Sequence, residues 1–159
     1  WRNVVDNGIL PLEIKGVKKE EARKKVIDML PIFELEGDEK KYPNQLSGGM
    51  KQRVSLLRTY MFSKEIMLLD EPFGGLDAIT RFKMQEYLLE VLRKIKGSVL
   101  FITHDIDESI FLSDRIYILN GAPAKIVEEF KVSLERPRNK EIVGTSEFNE
   151  IRTKILTLL

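Results

Sequence analysis

Residues Ile66–Asp77 read IMLLDEPFGGLD. Four apolar residues run into two carboxylates, Asp70 and Glu71, and a glycine pair follows. A continuous apolar run of this length, without alternation, suits a strand covered on both faces by helices. VLFIT (99–103) and RIYIL (115–119) have the same character. AITRFKMQEYLLEVLRKIKG lies between the first two runs. In it Leu88, Val91, Leu92 and Ile95 recur at helical spacing, which predicts an amphipathic helix closed by Gly97. Strand, helix, strand in that order is a βαβ unit, so the middle of the chain is α/β with a parallel sheet.

The front is different. KKEEARKKVIDMLPIF reads as a helix with Ala22, Val26, Met29 and Leu30 on one face, and a second helix follows Gly48, carrying Val54, Leu56, Leu57, Tyr60 and Met61. The tail offers a turn at NGAP, a strand at AKIVEEF, a loop at ERPRN and a helix over SEFNEIRTKILTLL. Three segments result: a helical subdomain over 1–62, an α/β core over 63–130, and a loop with a helix over 131–159.

The 159 residues suffice for one domain with a real core. With 26 basic and 25 acidic side chains the net charge is +1, which gives no electrostatic reason to propose nucleic acid as a partner. No apolar run approaches the roughly 18 residues of a membrane span. The lack of cysteine excludes disulfides and thiol chemistry and is compatible with a reducing, cytoplasmic setting.

Four constellations carry chemistry. Asp70 and Glu71 end a buried strand, where ligands of open α/β sheets sit; an acidic pair there suits a hydrated Mg²⁺ and a water to be activated. It equally suits a helix cap or an ion pair. LSGG (46–49) places Ser47 as an N-cap ahead of two glycines, an arrangement that leaves backbone N–H groups open to an anion. It is also an ordinary loop-to-helix turn. His104, the only histidine, follows VLFIT and so sits on the same strand-end rim as the acids. Asp77 in GGLDA stands just before the long helix, as an N-cap, a functional acid, or both.

In order, LSGGMKQRV, LLDEPFGGLD and LFITHDIDES resemble the signature motif, the Walker B strand with its D-loop, and the H-loop of the ATP-binding cassette (ABC) ATPases, the motor subunits of ABC transporters. The resemblance covers nearly the whole chain. WRNVVDN, YPNQLSGGM and LERPRN are similar to the nitrate, sulfonate and taurine importers. The resemblance implies a P-loop NTPase-like parallel sheet with an N-terminal α-helical subdomain, and ATP and Mg²⁺ as ligands. It implies that Asp70 holds Mg²⁺, Glu71 polarises the attacking water, and His104 contacts the γ-phosphate. It places Asp77 at a dimer interface, and Ser47, Gly48 and Gly49 against the γ-phosphate of ATP bound on the opposite subunit. The implied partners are a second ATPase subunit, a transmembrane permease and, indirectly, a substrate-binding protein. The implied location is cytoplasmic, on the inner face of the cell membrane.

Two positions depart from the family pattern. Met50 stands where the family has Gln, so half of a Ser-x-x-Gln capping box is lost. LLRTYMF follows the signature where small alanines are usual. No G-x-x-x-x-G-K-[ST] occurs in the 159 residues. The resemblance puts that Walker A loop and the Q-loop ahead of Trp1. The expectation is therefore a partial, truncated cassette whose sheet has a gap between VLFIT and RIYIL, and which does not turn over ATP alone. The alternative is a non-catalytic module that docks to a partner ATPase or permease.

Overall fold

The computed structural model describes residues 2–95 and 97–159. Trp1 of the WRNVVDN stretch and Lys96 lie outside them. The chain forms two compact units, Trp1–Leu100 and Phe101–Leu159. These units follow packing, whereas the three segments read from sequence follow motifs.

In the first unit, Asn3 caps helix α1 (Val4–Ile14), its side chain accepting from Asp6 N at 2.8 Å. Val4, Val5, Ile9 and Leu12 are buried. Helix α2 (Lys19–Met29) contributes Ala22 and Val26, and helix α3 (Gly48–Phe62) contributes Leu56, Leu57 and Met61. Gly8 lies where the three helices meet. A Cβ there would stand 2.7 Å from Val26 Cγ1 and 3.5 Å from Leu57 Cδ2. A β-branched side chain has no way past a stiff valine. Gly8→Val is therefore expected to cost about 1–3 kcal/mol by overpacking, read as a lower urea midpoint; an unchanged midpoint would show that α1 is not seated as described.

Strand β1 (Ile66–Asp70) follows α3, helix α4 (Ala78–Lys94) follows β1, and strand β2 (Ser98–Ile102) pairs with β1 in a parallel sheet. The expectation that these strands are covered on both faces is corrected. Met67 and Leu69 are buried, but Leu68 is 67% exposed and Leu100 and Ile102 are 54% exposed. The strands carry apolar side chains on both faces, as twice-buried strands do. In β1 one face is buried and the other exposed, and in β2 no residue is fully buried.

The role of Gly97 is also corrected. α4 already ends at Lys94, with Ile95 extended at φ −106° and ψ 153°. Gly97 has φ +152°, and a Cβ on it would lie 2.5 Å from Lys64 O. The glycine serves a close backbone approach beside β1, next to the Ser98 N–H that donates to Glu65 O at 2.7 Å.

The second unit contains helix α5 (Ile106–Leu112), strands β3 (Arg115–Asn120) and β4 (Lys125–Lys131), and helix α6 (Ser146–Leu156). β3 and β4 pair antiparallel, Ile116 opposite Phe130 and Tyr117 opposite Glu129, with an irregularity between Ile118 and Leu119. Its core is formed by Ile110, Phe111, Ile118, Leu134, Phe148 and Ile155. The described strands thus form two separate two-stranded sheets, with β2 and β3 unpaired to each other.

Candidate functional site

The signature stretch becomes a helix start facing open space. Ser47 is extended at φ −65° and ψ 165°, and its Oγ accepts from Met50 N at 3.3 Å. The serine half of a capping box forms, and it needs only the backbone of residue 50. Ser47 and Gly48 are exposed. A Cβ on Gly48 would meet nothing within 4 Å, and one on Gly49 would touch only Met84 Sδ at 3.6 Å. Glycine in a helix costs up to about 1 kcal/mol relative to alanine. Packing within the chain does not call for it at Gly48. Tyr42, Pro43, Asn44, Gln45 and Lys51 line a cavity beside this helix start.

α3 is anchored along its length. Arg53 pairs with Glu34 Oε2 at 2.8 Å and lies 4.6 Å from the centre of the Tyr87 ring. The Tyr87 hydroxyl in turn donates to Phe33 O at 2.8 Å, and burial pushes its pKa upward. Gln52 Nε2 donates to Pro72 O, joining the signature helix directly to the turn after Glu71.

That turn carries the carboxylates. Asp70 ends β1 and is exposed, while Glu71 is half-buried. Glu71 has φ +43°, a left-handed conformation that costs a non-glycine residue on the order of 1–3 kcal/mol. Its carbonyl accepts from Gly74 N at 3.0 Å, and Gly75 supplies the next positive φ at +77°. Glu34 is the other non-glycine residue with a positive φ among the described residues, at +49°.

Asp77 is the N-cap of α4, its Oδ1 accepting from Ile79 N at 3.1 Å and Thr80 N at 3.0 Å. Hydrogen bonds from the Thr80 side chain first, then the Thr80 backbone, hold its pKa below the usual aspartate value. Its stabilising contribution is present above the ordinary aspartate range and lost as pH falls through the depressed value.

No cluster of three or more metal-ligating side chains occurs among the described residues. Mg²⁺ needs none, since one or two carboxylates plus phosphate oxygens and water suffice. An exposed Asp70 followed by Glu71 fits that donor set.

His104 belongs to the second unit and is exposed just past β2. The next residue, Asp105, caps α5 by accepting from Glu108 N at 3.1 Å, and its own N–H donates to Thr103 Oγ1 at 3.0 Å. Sequence reasoning assigned nothing to two arginines here. Arg138, in the ERPRN loop, is buried and donates to the carbonyls of Ile110, Phe111, Ser113 and Leu134 at 2.7–3.3 Å. Arg152 forms a two-pronged pair with Asp107. For Arg138 the sequence offered its place in LERPRN, read as a loop and likened to the importers, and for Arg152 it offered no signal.

Among the described residues no helix is long and apolar enough to cross a membrane. Residues 2–74 match the family model described as ABC transporter. The chain is 41% identical over 157 residues to the aliphatic sulfonates import ATP-binding protein of Bacillus subtilis, covering 99% of this chain and 59% of that protein. It is 40% identical over 165 residues to the nitrate import ATP-binding protein of Synechococcus elongatus, covering 100% and 60%. A dimeric bacterial ABC transporter cassette of known structure superposes with a TM-score of 0.61 at 32% identity, over 84% of this chain and 58% of that one. The chain thus spans about 60% of the length of the curated relatives it matches.

Proposed function

Since this chain belongs to the ATP-binding cassette family of the nitrate and sulfonate importers, we propose that its residues supply the signature motif and the carboxylates of an ATPase site that energises uptake of a small nutrient. The observation that carries the reading is the open start of α3. Gly48 is a glycine that nothing inside the chain requires, exposed beside the Ser47 cap. A helix N-terminus left bare in this way suits a phosphate brought by another molecule.

Asp70 is the residue to hold Mg²⁺, which when bound neutralises charge on the phosphate oxygens. Glu71 orients the attacking water and accepts its proton, and its strained backbone keeps the carboxylate at the strand end. His104 hydrogen-bonds the terminal phosphate. Ser47, Gly48 and Gly49 close over ATP held by the opposite subunit, with Asp77 at the interface between subunits. Phosphoryl transfer depends on positioning and charge stabilisation, which this set supplies only when two subunits meet. The permease and, through it, a substrate-binding protein are the further partners, on the cytoplasmic face of the membrane. The absence of a phosphate loop from these 159 residues favours a second reading, a module that docks to a partner without hydrolysing.

Turnover separates the two readings. A polypeptide of these residues alone is expected to hydrolyse no ATP. The same residues joined to a segment bearing a phosphate loop are expected to hydrolyse Mg-ATP. Failure of the joined protein to do so while binding ATP would support the docking module instead.

A further inference from the structure

We infer that Arg152, on the last helix, is a positioning residue for His104. α5 has seven residues, and a helix this short does not hold itself together in water. It is held from outside at both ends. At its C-terminus Arg138 reaches the carbonyls of Ile110, Phe111 and Ser113, while Arg136 Nη2 reaches that of Leu112 at 2.9 Å. At its first turn Arg152 Nε donates to Asp107 Oδ1 at 2.5 Å and Nη2 to Oδ2 at 2.6 Å. The guanidinium is itself fixed, donating to Asn149 Oδ1 at 2.8 Å and lying 5.3 Å from the centre of the buried Phe148 ring.

His104 stands two residues ahead of α5, joined to it through the Asp105 cap. A change in the direction of the first turn is therefore passed to the backbone that carries the imidazole. The C-terminal grip holds the far end of α5. Within the segment the first turn has the Asp105 cap on Glu108 N–H and the Ser109 hydroxyl on Ile106 O, and a contact from outside the segment falls on Asp107. The two-pronged pair adds orientation to that cap, because a planar fork on a carboxylate defines direction as well as distance. Both side chains of the pair are partly exposed, 31% and 47%, so the pair contributes little to overall stability. Its effect is on geometry. α6 thereby becomes a part of the site, although it lies far from His104 in sequence.

This inference takes the importance of His104 from the function proposed above, but its test reads the imidazole directly and needs no nucleotide. His104 is the only histidine, so its ring signals in an NMR spectrum of the 159-residue chain are unambiguous. In Arg152→Ala and Asp107→Asn those signals are expected to broaden or split. Amide exchange over residues 104–108 is expected to rise about tenfold or more, as in local opening, with β3 and β4 as protected as before and the urea midpoint unmoved. Arg152→Lys keeps the charge and not the fork, so it is expected to disturb His104 as well. The exchange Asp107→Arg with Arg152→Asp is expected to restore one sharp set of signals. Wild-type His104 signals in Arg152→Lys overturn the inference. So does a uniform rise in exchange across β3 and β4, which marks a structural role alone. A failed ATPase test with these outcomes intact would count against the proposed function and leave the positioning role standing.

Discussion

Glu71→Gln is expected to lower Mg-ATP hydrolysis by about 10²–10⁴-fold once these residues are joined to a segment bearing a phosphate loop. Glutamine keeps the size of the side chain and the ability to hydrogen-bond a water, but it cannot accept the proton that the water gives up. ATP binding is expected to persist, so the loss falls on turnover and not on affinity. Glu71→Gly serves as a control of a different kind. It removes the same carboxylate and also relieves the left-handed backbone at φ +43°. Its expected result is the same loss of hydrolysis with a net gain of about 1 kcal/mol in stability. Steady-state phosphate release and urea unfolding measure the two effects separately. Full hydrolysis by Glu71→Gln would remove Glu71 from the chemistry.

The second large effect lies away from the carboxylates. Arg138→Ala is expected to destabilise the second unit by about 3–5 kcal/mol. The Arg138 side chain is 1% exposed and 4.0 Å from Asp114 Oδ1. Burial above all, then the charge of Arg136, brings its pKa down to about 10, with Asp114 opposing. Folding thus works against its charge at neutral pH, and the cost is relieved only as pH rises above about 10. The carbonyls of Ile110, Phe111, Ser113 and Leu134 offset that cost. Alanine leaves those carbonyls without their donor. Arg138→Lys is expected to recover little, since one ammonium does not span four carbonyls. Urea unfolding followed at Tyr117 reads the loss, and a midpoint within error of wild type would contradict it.

How far these features were legible in the sequence depends on where their causes lie. The βαβ unit and both long middle helices followed from apolar spacing, because that spacing is a local property. Ser47 as a cap was readable for the same reason, since it bonds a backbone group three residues away. α1 was harder, because Gly8 and Pro11 are poor helix residues and tertiary contact with Val26 and Leu57 decides their use. The exposed face of β1 and β2 was misread, since an apolar run reports what a strand is suited to and not which neighbours it has. The left-handed backbone at Glu71 belongs to a local turn closed by Gly74 N, and the grip of Arg138 falls on carbonyls distant in sequence; no periodicity signals either. The ABC resemblance named the roles of Asp70, Glu71 and His104. It did not indicate that α6 holds the segment beside His104.

The central claim is that Ser47, Gly48 and Gly49 meet a phosphate held by another subunit. The most direct measurement is the affinity of the 159-residue chain for a cassette subunit that carries its own phosphate loop, compared in Mg-ATP and Mg-ADP by fluorescence anisotropy. Association is expected in ATP and about tenfold weaker or more in ADP, as for a ligand that favours one state. Gly48→Asp is expected to abolish the ATP-dependent part. The new side chain has open space within the chain, and an acid at a helix start is favourable to the helix, so the variant stays folded while its carboxylate repels the phosphate. Equal affinity in both nucleotides, or an unchanged affinity in Gly48→Asp, would contradict the claim.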